Sequence, residues 1–214
     1  MQGIETVIWD FNGTLMDDVD LAVRSMNALL QRRDLPAIDP DAHRRLFGHP
    51  VSGYYTALGF DLGRESLSAV SDEFHEEYLS GVAECELAPG AKELLEVFQR
   101  QGIRQFVLSA AEQTLLEAWV RILRIEGYIA GVYGLPDRLA VTKVTRGEEL
   151  MKAAGVCPGT AILIGDTDHD LEVAAALGCS AVIVAQGHQS GDRLSRTGAC
   201  IYSSCNDLRD GLRL

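Results

Sequence analysis

The 214-residue sequence contains no apolar run that approaches the roughly 20 residues needed to cross a membrane. It also lacks an N-terminal basic segment followed by an apolar stretch, so we predict no secretory signal and expect a cytoplasmic location. Apolar residues make up 47% of the chain and charged residues 23%, which is typical of a soluble globular protein. No membrane partner is therefore expected.

Basic residues are scarce. The chain has 19 lysines and arginines against 31 aspartates and glutamates, which gives a formal net charge of −12 at pH 7. Binding to nucleic acid needs a basic surface that neutralises phosphates, so no nucleic-acid partner is expected. A small anionic ligand remains compatible with this composition, because one nearby cation can outweigh a distant negative field.

The cysteines lack a spacing that would bind metal or form a disulfide framework. There are five of them, an odd number, and no pair has the CxxC spacing. Reduced thiols therefore fit this sequence better than disulfides or a zinc site.

The order of the predicted elements indicates a doubly wound, Rossmann-like α/β fold with a mostly parallel sheet. Short apolar segments rich in β-forming residues alternate with amphipathic helical segments, as such a sheet requires. The predicted strands lie at residues 6–10, 104–109, 129–135, 160–164 and 181–185. The predicted helices between them lie at residues 91–101, 111–125, 146–154 and 171–177.

A long helical segment separates the first predicted strand from the others. Residues 17–85 contain no predicted strand and read as several helices that are interrupted by proline and glycine. This arrangement predicts an all-helical cap domain, residues 17–85, inserted into an α/β core made of residues 1–16 and 86–214.

Three predicted strands run directly into polar segments. Residues 10–14 follow the first strand, Ser109 ends the second, and residues 165–170, with three aspartates, follow the fourth. Ligands of open parallel sheets bind at the carboxyl ends of the strands, so these segments are expected to form one site. Clustered carboxylates repel each other unless a hard cation such as Mg²⁺ binds them. The constellation therefore points to phosphoryl transfer with an aspartate as the attacking group.

Four separate motifs, together with the position of the cap, resemble the haloacid dehalogenase superfamily of hydrolases. The similarity is to the branch with a helical cap after the first motif, which includes phosphoglycolate phosphatases. It extends over nearly the whole chain. It implies a Mg²⁺-dependent phosphomonoesterase that hydrolyses a small phosphorylated metabolite through an aspartyl-phosphate.

The resemblance also implies roles for individual residues. Asp10 would be the nucleophile and a metal ligand, the backbone carbonyl of Asn12 and the side chain of Asp166 would complete the Mg²⁺ ligands, and Asp170 would support them. The groups that would hold the phosphoryl oxygens are Thr14, Ser109, the amide of Ala110, and Lys143, which would also balance the charge of the nucleophile. Two alternatives stay open at this point: Ser109 could cap the following helix, and Lys143 could be a solvated loop lysine. Asp17 and Asp18 are expected to cap the first cap helix, although Asp17 also lies where the family often has an aspartate.

Position 12 departs from the family pattern. Phosphatases of this family carry a second aspartate there, which protonates the leaving oxygen and then activates water. An amide can do neither, and loss of one such group costs roughly 10²–10⁴-fold in rate. Four explanations compete: another group acts as the acid, the leaving group needs no proton, the chain catalyses a different reaction, or it is a weak or inactive relative that binds phosphorylated ligands.

The sequence narrows these alternatives. A dehalogenase-type hydrolase would work without Mg²⁺ and typically lacks the acidic fourth motif, which is present here. A phosphonatase would need a cap lysine, whereas the only lysines are at 92, 143 and 152. In the cap, Arg44, Arg45 and His49 are the candidates for binding an anionic substrate, with a solvated helix face as the alternative for the two arginines.

Overall fold

The computed structural model describes residues 3–136 and 142–212. The strands within these residues are β1 (Thr6–Trp9), β2 (Met16–Asp17), β3 (Glu86–Leu87), β4 (Arg104–Glu112), β5 (Gly131–Leu135), β6 (Ala161–Gly165), β7 (Ser180–Val184) and β8 (Ile201–Tyr202). Six of them form one sheet in the order β5-β4-β1-β6-β7-β8, and every neighbouring pair is parallel. The predicted doubly wound α/β fold is confirmed.

The helices cover both faces of this sheet and form the cap. They are α1 (Val19–Gln31), α2 (Pro40–Leu46), α3 (Val51–Ala57), α4 (Leu67–Gly81), α5 (Ala91–Arg100), α6 (Gln113–Ile122), α7 (Lys143–Ala154), α8 (Asp168–Leu177), α9 (Gly191–Ser195) and α10 (Cys205–Gly211). None of the helices in the described part of the chain is both long and apolar enough to cross a bilayer.

Strand β1 lies in the middle of the sheet and is buried along its whole length. Successive side chains of a strand point to opposite faces, so Val7 and Trp9 join one apolar cluster and Ile8 joins the other. Trp9 pairs with Val107 of β4 and with Ile164 of β6. The segments that follow these three strands therefore emerge side by side at one edge of the sheet.

Helices α1 to α4 lie within the segment predicted to form the cap, and their residues share an apolar cluster around Met26, Leu29 and Tyr54. The chain enters and leaves this region through a two-stranded antiparallel ribbon, in which Met16 pairs with Leu87 and Asp17 with Glu86. Strand β2 therefore reaches one residue into the segment expected to be free of strands. The predicted boundaries, 16/17 and 85/86, fall in this ribbon, and the division into two domains stays a prediction.

Candidate active site

Three buried carboxylates converge at the carboxyl edge of the sheet. Asp10 follows β1, Asp166 follows β6, and Asp170 lies in the first turn of α8. One oxygen from each lies within 4.8 Å of the others. Burial and the neighbouring carboxylates raise the pKa of Asp10 to about 6 and that of Asp166 to about 8. Such a cluster of oxygen ligands, in which negative charge is unfavourable, fits a hard dication such as Mg²⁺.

Lys143 supplies a fixed positive charge beside this cluster. Its Nζ donates to Asp10 Oδ1 at 2.5 Å and to Asp170 Oδ1 at 2.6 Å, and its side chain is only 4% exposed. Lys143 is the first residue of α7, whose N-cap, Thr142, accepts a hydrogen bond from the backbone amide of Thr145. Lys143 is therefore not the solvated loop lysine of the alternative interpretation. The helix was predicted to begin only at residue 146.

The turn after Asp10 brings Thr14 back to the carboxylates. Gly13 has a φ of +75°, which favours glycine, and a Cβ there would lie 2.5 Å from an Asp166 oxygen. The Thr14 hydroxyl donates to Asp166 Oδ1 at 3.0 Å and contacts Asp10 Oδ2 at 3.4 Å. Thr14 therefore orients the carboxylates in this structure, and its predicted role in binding phosphate stays a prediction.

Ser109 lies at the same edge, within β4, and is almost fully buried. Its hydroxyl accepts a hydrogen bond from the Ala111 amide at 3.1 Å. It does not cap α6, because the N-cap of that helix is Glu112. The assignment of Ser109 and the Ala110 amide to phosphate binding remains a prediction.

Both amide hydrogens of Asn12 are used by cap residues. Asn12 Nδ2 donates to Asp18 Oδ2 at 3.0 Å and to the Tyr78 hydroxyl at 2.9 Å. Asp18 also accepts from the Gly13 amide at 2.7 Å and from the Tyr78 hydroxyl at 2.6 Å. The predicted capping role of Asp18 is wrong: it occupies the N-cap position of α1 without a side-chain cap, because its carboxylate is turned toward Asn12 and Gly13.

Two buried histidines that the sequence analysis missed join the core to the cap. His188, in the loop after β7, donates its amide to Asp166 Oδ2 at 2.6 Å, and its Nε2 lies 3.1 Å from Asp18 Oδ1. Its Nδ1 lies 3.0 Å from Nε2 of His43 in α2, whose Nδ1 is 2.7 Å from the Tyr54 hydroxyl. We call Asp18, His188, His43 and Tyr54 the histidine chain. No motif marks these residues in the sequence.

The charges along the histidine chain follow from their neighbours. Burial alone would lower the pKa of His188, but the Asp18 carboxylate, with Asp166 and Asp10, raises it to about 9. Burial and the charge of His188 lower the pKa of His43 to about 3. At neutral pH, His188 is therefore an imidazolium that donates to Asp18 and to neutral His43.

This arrangement predicts that the free energy of unfolding decreases as the pH rises from 6.5 through 9. The pKa of His188 is raised from 6.5 to about 9 on folding, so its contribution is complete below pH 6.5 and is lost as the pH rises through 9. The loss is on the order of 3 kcal/mol. Urea unfolding of the metal-free protein at pH 6, 7, 8 and 9 measures it. The raised pKa of Asp166 acts in the same direction, and the difference between the native chain and His188→Gln measures the histidine together with its effect on Asp166. Parallel pH profiles for the two proteins would contradict the assignment.

A cavity of about 270 Å³ lies beside this site and continues into the cap. Asn12, Asp18 and Ala110 line the end near Asp10. The rest of the wall includes three histidines (His43, His75 and His188) and six other aromatic side chains: Phe47, Tyr54, Tyr55, Phe74, Tyr78 and Trp119.

The predicted cap ligands for an anionic substrate are not among the described residues that line this cavity. Arg44 donates through Nε to the Gly187 carbonyl at 3.0 Å. Arg45 is exposed, and the His49 ring packs against the His169 ring at 4.6 Å between centroids. The assignment of these three residues to substrate binding stays a prediction.

The sequence profile of the haloacid dehalogenase-like hydrolase family matches residues 7–184. The chain is 25% identical over 217 residues to the tyrosine-protein kinase PtkA of Mycobacterium tuberculosis H37Rv, covering 97% of this chain and 72% of that protein. It is also 25% identical over 219 residues to the phosphoglycolate phosphatase of Rhodospirillum rubrum, covering 97% and 90%.

Solved structures show the same fold. A haloacid dehalogenase-like hydrolase from Streptococcus pneumoniae superposes with a TM-score of 0.84 at 19% identity, over 99% of this chain and 100% of that one. The sequence match extends over most of the chain, and the relatives include a phosphatase that matches it nearly end to end. The chain therefore belongs to the haloacid dehalogenase-like hydrolases and is a hydrolase of the phosphatase type.

Proposed function

We propose that this chain is a Mg²⁺-dependent phosphomonoesterase that acts on a small phosphorylated metabolite through an aspartyl-phosphate on Asp10. The observation that carries the proposal is the buried cluster of Asp10, Asp166 and Asp170 with Lys143 hydrogen-bonded to two of its members. This arrangement supplies a nucleophile, oxygen ligands for a hard cation, and a fixed positive charge within one site.

Each residue of the site has a separate role in this reaction. An Asp10 oxygen attacks phosphorus, while Lys143 balances the charge of the nucleophile and of the transferred group. Asp10, Asp166 and the backbone carbonyl of Asn12 would hold Mg²⁺, which would supply positive charge to neutralise the phosphoryl oxygens. Ser109 and the Ala110 amide would bind the remaining oxygens.

Asp170 and Thr14 position these groups rather than react. Asp170 Oδ2 accepts from the amide and the hydroxyl of Thr167, at 3.0 and 2.8 Å, so its other oxygen is aimed at Lys143. Fixed orientation of the lysine and of the carboxylates reduces reorganisation during the reaction.

The metal requirement provides the test of this function. We expect Mg²⁺ to raise the midpoint of thermal unfolding, because a dication relieves the repulsion among buried carboxylates. Phosphate release from a panel of small phosphate esters should depend on Mg²⁺. Asp166→Asn should lose both the stabilisation and most of the activity, whereas Asp192→Asn, in α9 and away from the carboxylate cluster, should retain both.

Two other functions give different results in this experiment. Tight binding of phosphate esters without turnover, in the native chain and in Asn12→Asp alike, would identify a binding protein that retains the phosphate site. Metal-independent halide release from a 2-haloacid would identify a dehalogenase. The acidic cluster favours the phosphatase, because carbon–halogen hydrolysis in this fold needs no metal ligands.

A further inference from the structure

We propose that the preferred substrates are aryl phosphate monoesters, whose leaving group is a phenol seated in the aromatic cavity. This inference rests on the proposed function and specifies its substrate class. Two independent observations carry it: the hydrogen bonds of Asn12 and the chemistry of the cavity wall.

The side chain of Asn12 cannot donate a proton to the ester oxygen of the leaving group. An amide has no proton to transfer near neutral pH. Both of its N–H groups are also committed, one to Asp18 at 3.0 Å and one to the Tyr78 hydroxyl at 2.9 Å. The Tyr78 hydroxyl is itself donated to Asp18 at 2.6 Å. The N–H groups of Asn12 and the hydroxyl of Tyr78 are therefore all committed within the described residues, to each other and to Asp18, which is also paired with His188. Neither side chain has a further donor for the leaving group.

Whether the missing proton slows the reaction depends on the pKa of the leaving group. A phenol has a pKa of about 10, whereas an aliphatic alcohol has one near that of water, about 15.7. When Asp10 bonds to phosphorus, the bond from phosphorus to the ester oxygen breaks and its electron pair leaves on that oxygen. A phenolate carries this charge by delocalising it into the ring and takes its proton later from water. An alkoxide at the same position would need a proton in the transition state.

The cavity wall favours a flat, uncharged ring. Its six aromatic side chains offer ring faces and edges for stacking, which stabilises aromatic pairs beyond burial alone. Among the described residues that line it, none is lysine or arginine, its carboxylates are Asp18 and Glu112, and the His188 imidazolium at its edge is already paired with Asp18. A leaving group that carries its own carboxylate, as glycolate does, would therefore meet like charge. The volume of about 270 Å³ accommodates a substituted phenyl ring, since about 150 Å³ suffices for benzene.

A leaving-group series tests the chemical part of the proposal. The native chain with Mg²⁺ is assayed on phenyl phosphates whose phenols span several pKa units, on a nucleoside 5′-monophosphate and on 2-phosphoglycolate. We expect kcat/KM to fall at least roughly threefold for each unit of phenol pKa, and the alkyl esters to be slower than phenyl phosphate by about 10²–10⁴-fold. In Asn12→Asp the series should flatten, because the new acid protonates poor leaving groups.

The kinetics of nitrophenol release in the first turnover provide a second test. Water must attack the aspartyl-phosphate, break its bond to Asp10 and release phosphate, and position 12 provides no base for that step. Stopped-flow mixing with 4-nitrophenyl phosphate should therefore show a burst of about one nitrophenol per enzyme, followed by slower steady-state release.

Binding of the leaving group in the cavity is tested with a substitution that leaves Asp10 and Asn12 unchanged. Val51 lines it from α3, so Val51→Phe should fill it and raise KM for phenyl phosphate roughly tenfold or more. Acetyl phosphate has a good leaving group that is small, and its hydrolysis should not change. Leu67→Phe makes a matched change at an exposed position of α4, away from the cavity, and should behave as the native chain with both esters.

Three results would overturn the proposal. The first is alkyl esters that react as fast as phenyl phosphate in the native chain. The second is an Asn12→Asp series as steep as the native one. The third is a loss of alkyl-ester activity in Glu112→Gln with aryl esters spared, which would identify Glu112 as the acid. Failure of the proposed function looks different: no ester, nitrophenyl phosphate included, would release phosphate in a Mg²⁺-dependent manner.

Discussion

Replacing Asp10 with asparagine is expected to lower Mg²⁺-dependent phosphate release by about 10⁶-fold, the scale seen when a covalent nucleophile is removed. The amide keeps the shape of the side chain but is a far weaker nucleophile than a carboxylate. With nitrophenyl phosphate the nitrophenol burst should disappear as well. Acid quenching of the native chain should trap an acyl phosphate on Asp10 that hydroxylamine cleaves, and mass spectrometry of the peptide containing residue 10 measures its occupancy.

The loss should not come from unfolding of the metal-free protein. Asp10→Asn removes one negative charge from a buried cluster in which the pKa of Asp10 is already raised to about 6, and Lys143 keeps its bond to Asp170. Without Mg²⁺, the midpoint of thermal unfolding should therefore not fall. Asp20→Asn, an exposed aspartate in the first turn of α1, is the matched control and should keep full activity. A phosphorylated peptide that does not contain Asp10 would assign the nucleophile elsewhere.

Replacing Asn12 with aspartate is expected to raise kcat/KM for alkyl phosphate esters by about 10²–10⁴-fold, the contribution of one general acid–base group. Nitrophenyl phosphate should gain little in the burst phase, because its leaving group needs no proton. Its steady-state rate should rise, because the new carboxylate activates the water that cleaves the aspartyl-phosphate. Parallel phosphate-release assays on the two esters separate these effects, and equal gains in every phase for both would contradict the explanation.

The same substitution should cost stability. It replaces an N–H that donates to Asp18 at 3.0 Å with a second carboxylate at that distance. Loss of a hydrogen bond to a charged group costs about 1.5–3 kcal/mol. Two carboxylates so close share a proton, and the pKa of one of them rises. The alkyl-ester activity of Asn12→Asp should therefore acquire an alkaline limb that the native chain lacks.

Much of this site could be predicted because its residues follow strands. Asp10, Ser109 and Asp166 come after or at the ends of β1, β4 and β6, and parallel pairing brings such ends together whatever the rest of the chain does. Lys143 was found by its resemblance to a family motif. The start of its helix was missed, although Thr142 is a residue type that commonly precedes helices.

The histidine chain could not be predicted in the same way. His43 and His188 are 145 positions apart, and each stands in an ordinary sequence context. Their meeting depends on how the cap sits over the core, which periodicity does not encode. Asp18 was misassigned for a related reason. A local rule predicts a helix cap, but the buried His188 imidazolium and the Gly13 amide are stronger partners than the free amides of a helix end.

The short ribbon formed by β2 and β3 brings together the two ends of the segment predicted to form the cap. Met16 lies opposite Leu87, and Asp17 opposite Glu86, so the two passages of the chain between core and cap run next to each other. A tight turn joining them would close the ribbon as a hairpin without displacing β1 or β4. A different insert between these two strands would replace most of the aromatic wall, whereas Asp10, Asp166 and Asp170 lie outside the inserted segment. Changes in the length and composition of the insert at this junction can therefore change which ester is hydrolysed. The carboxylates and Lys143, which carry out the hydrolysis, would stay the same.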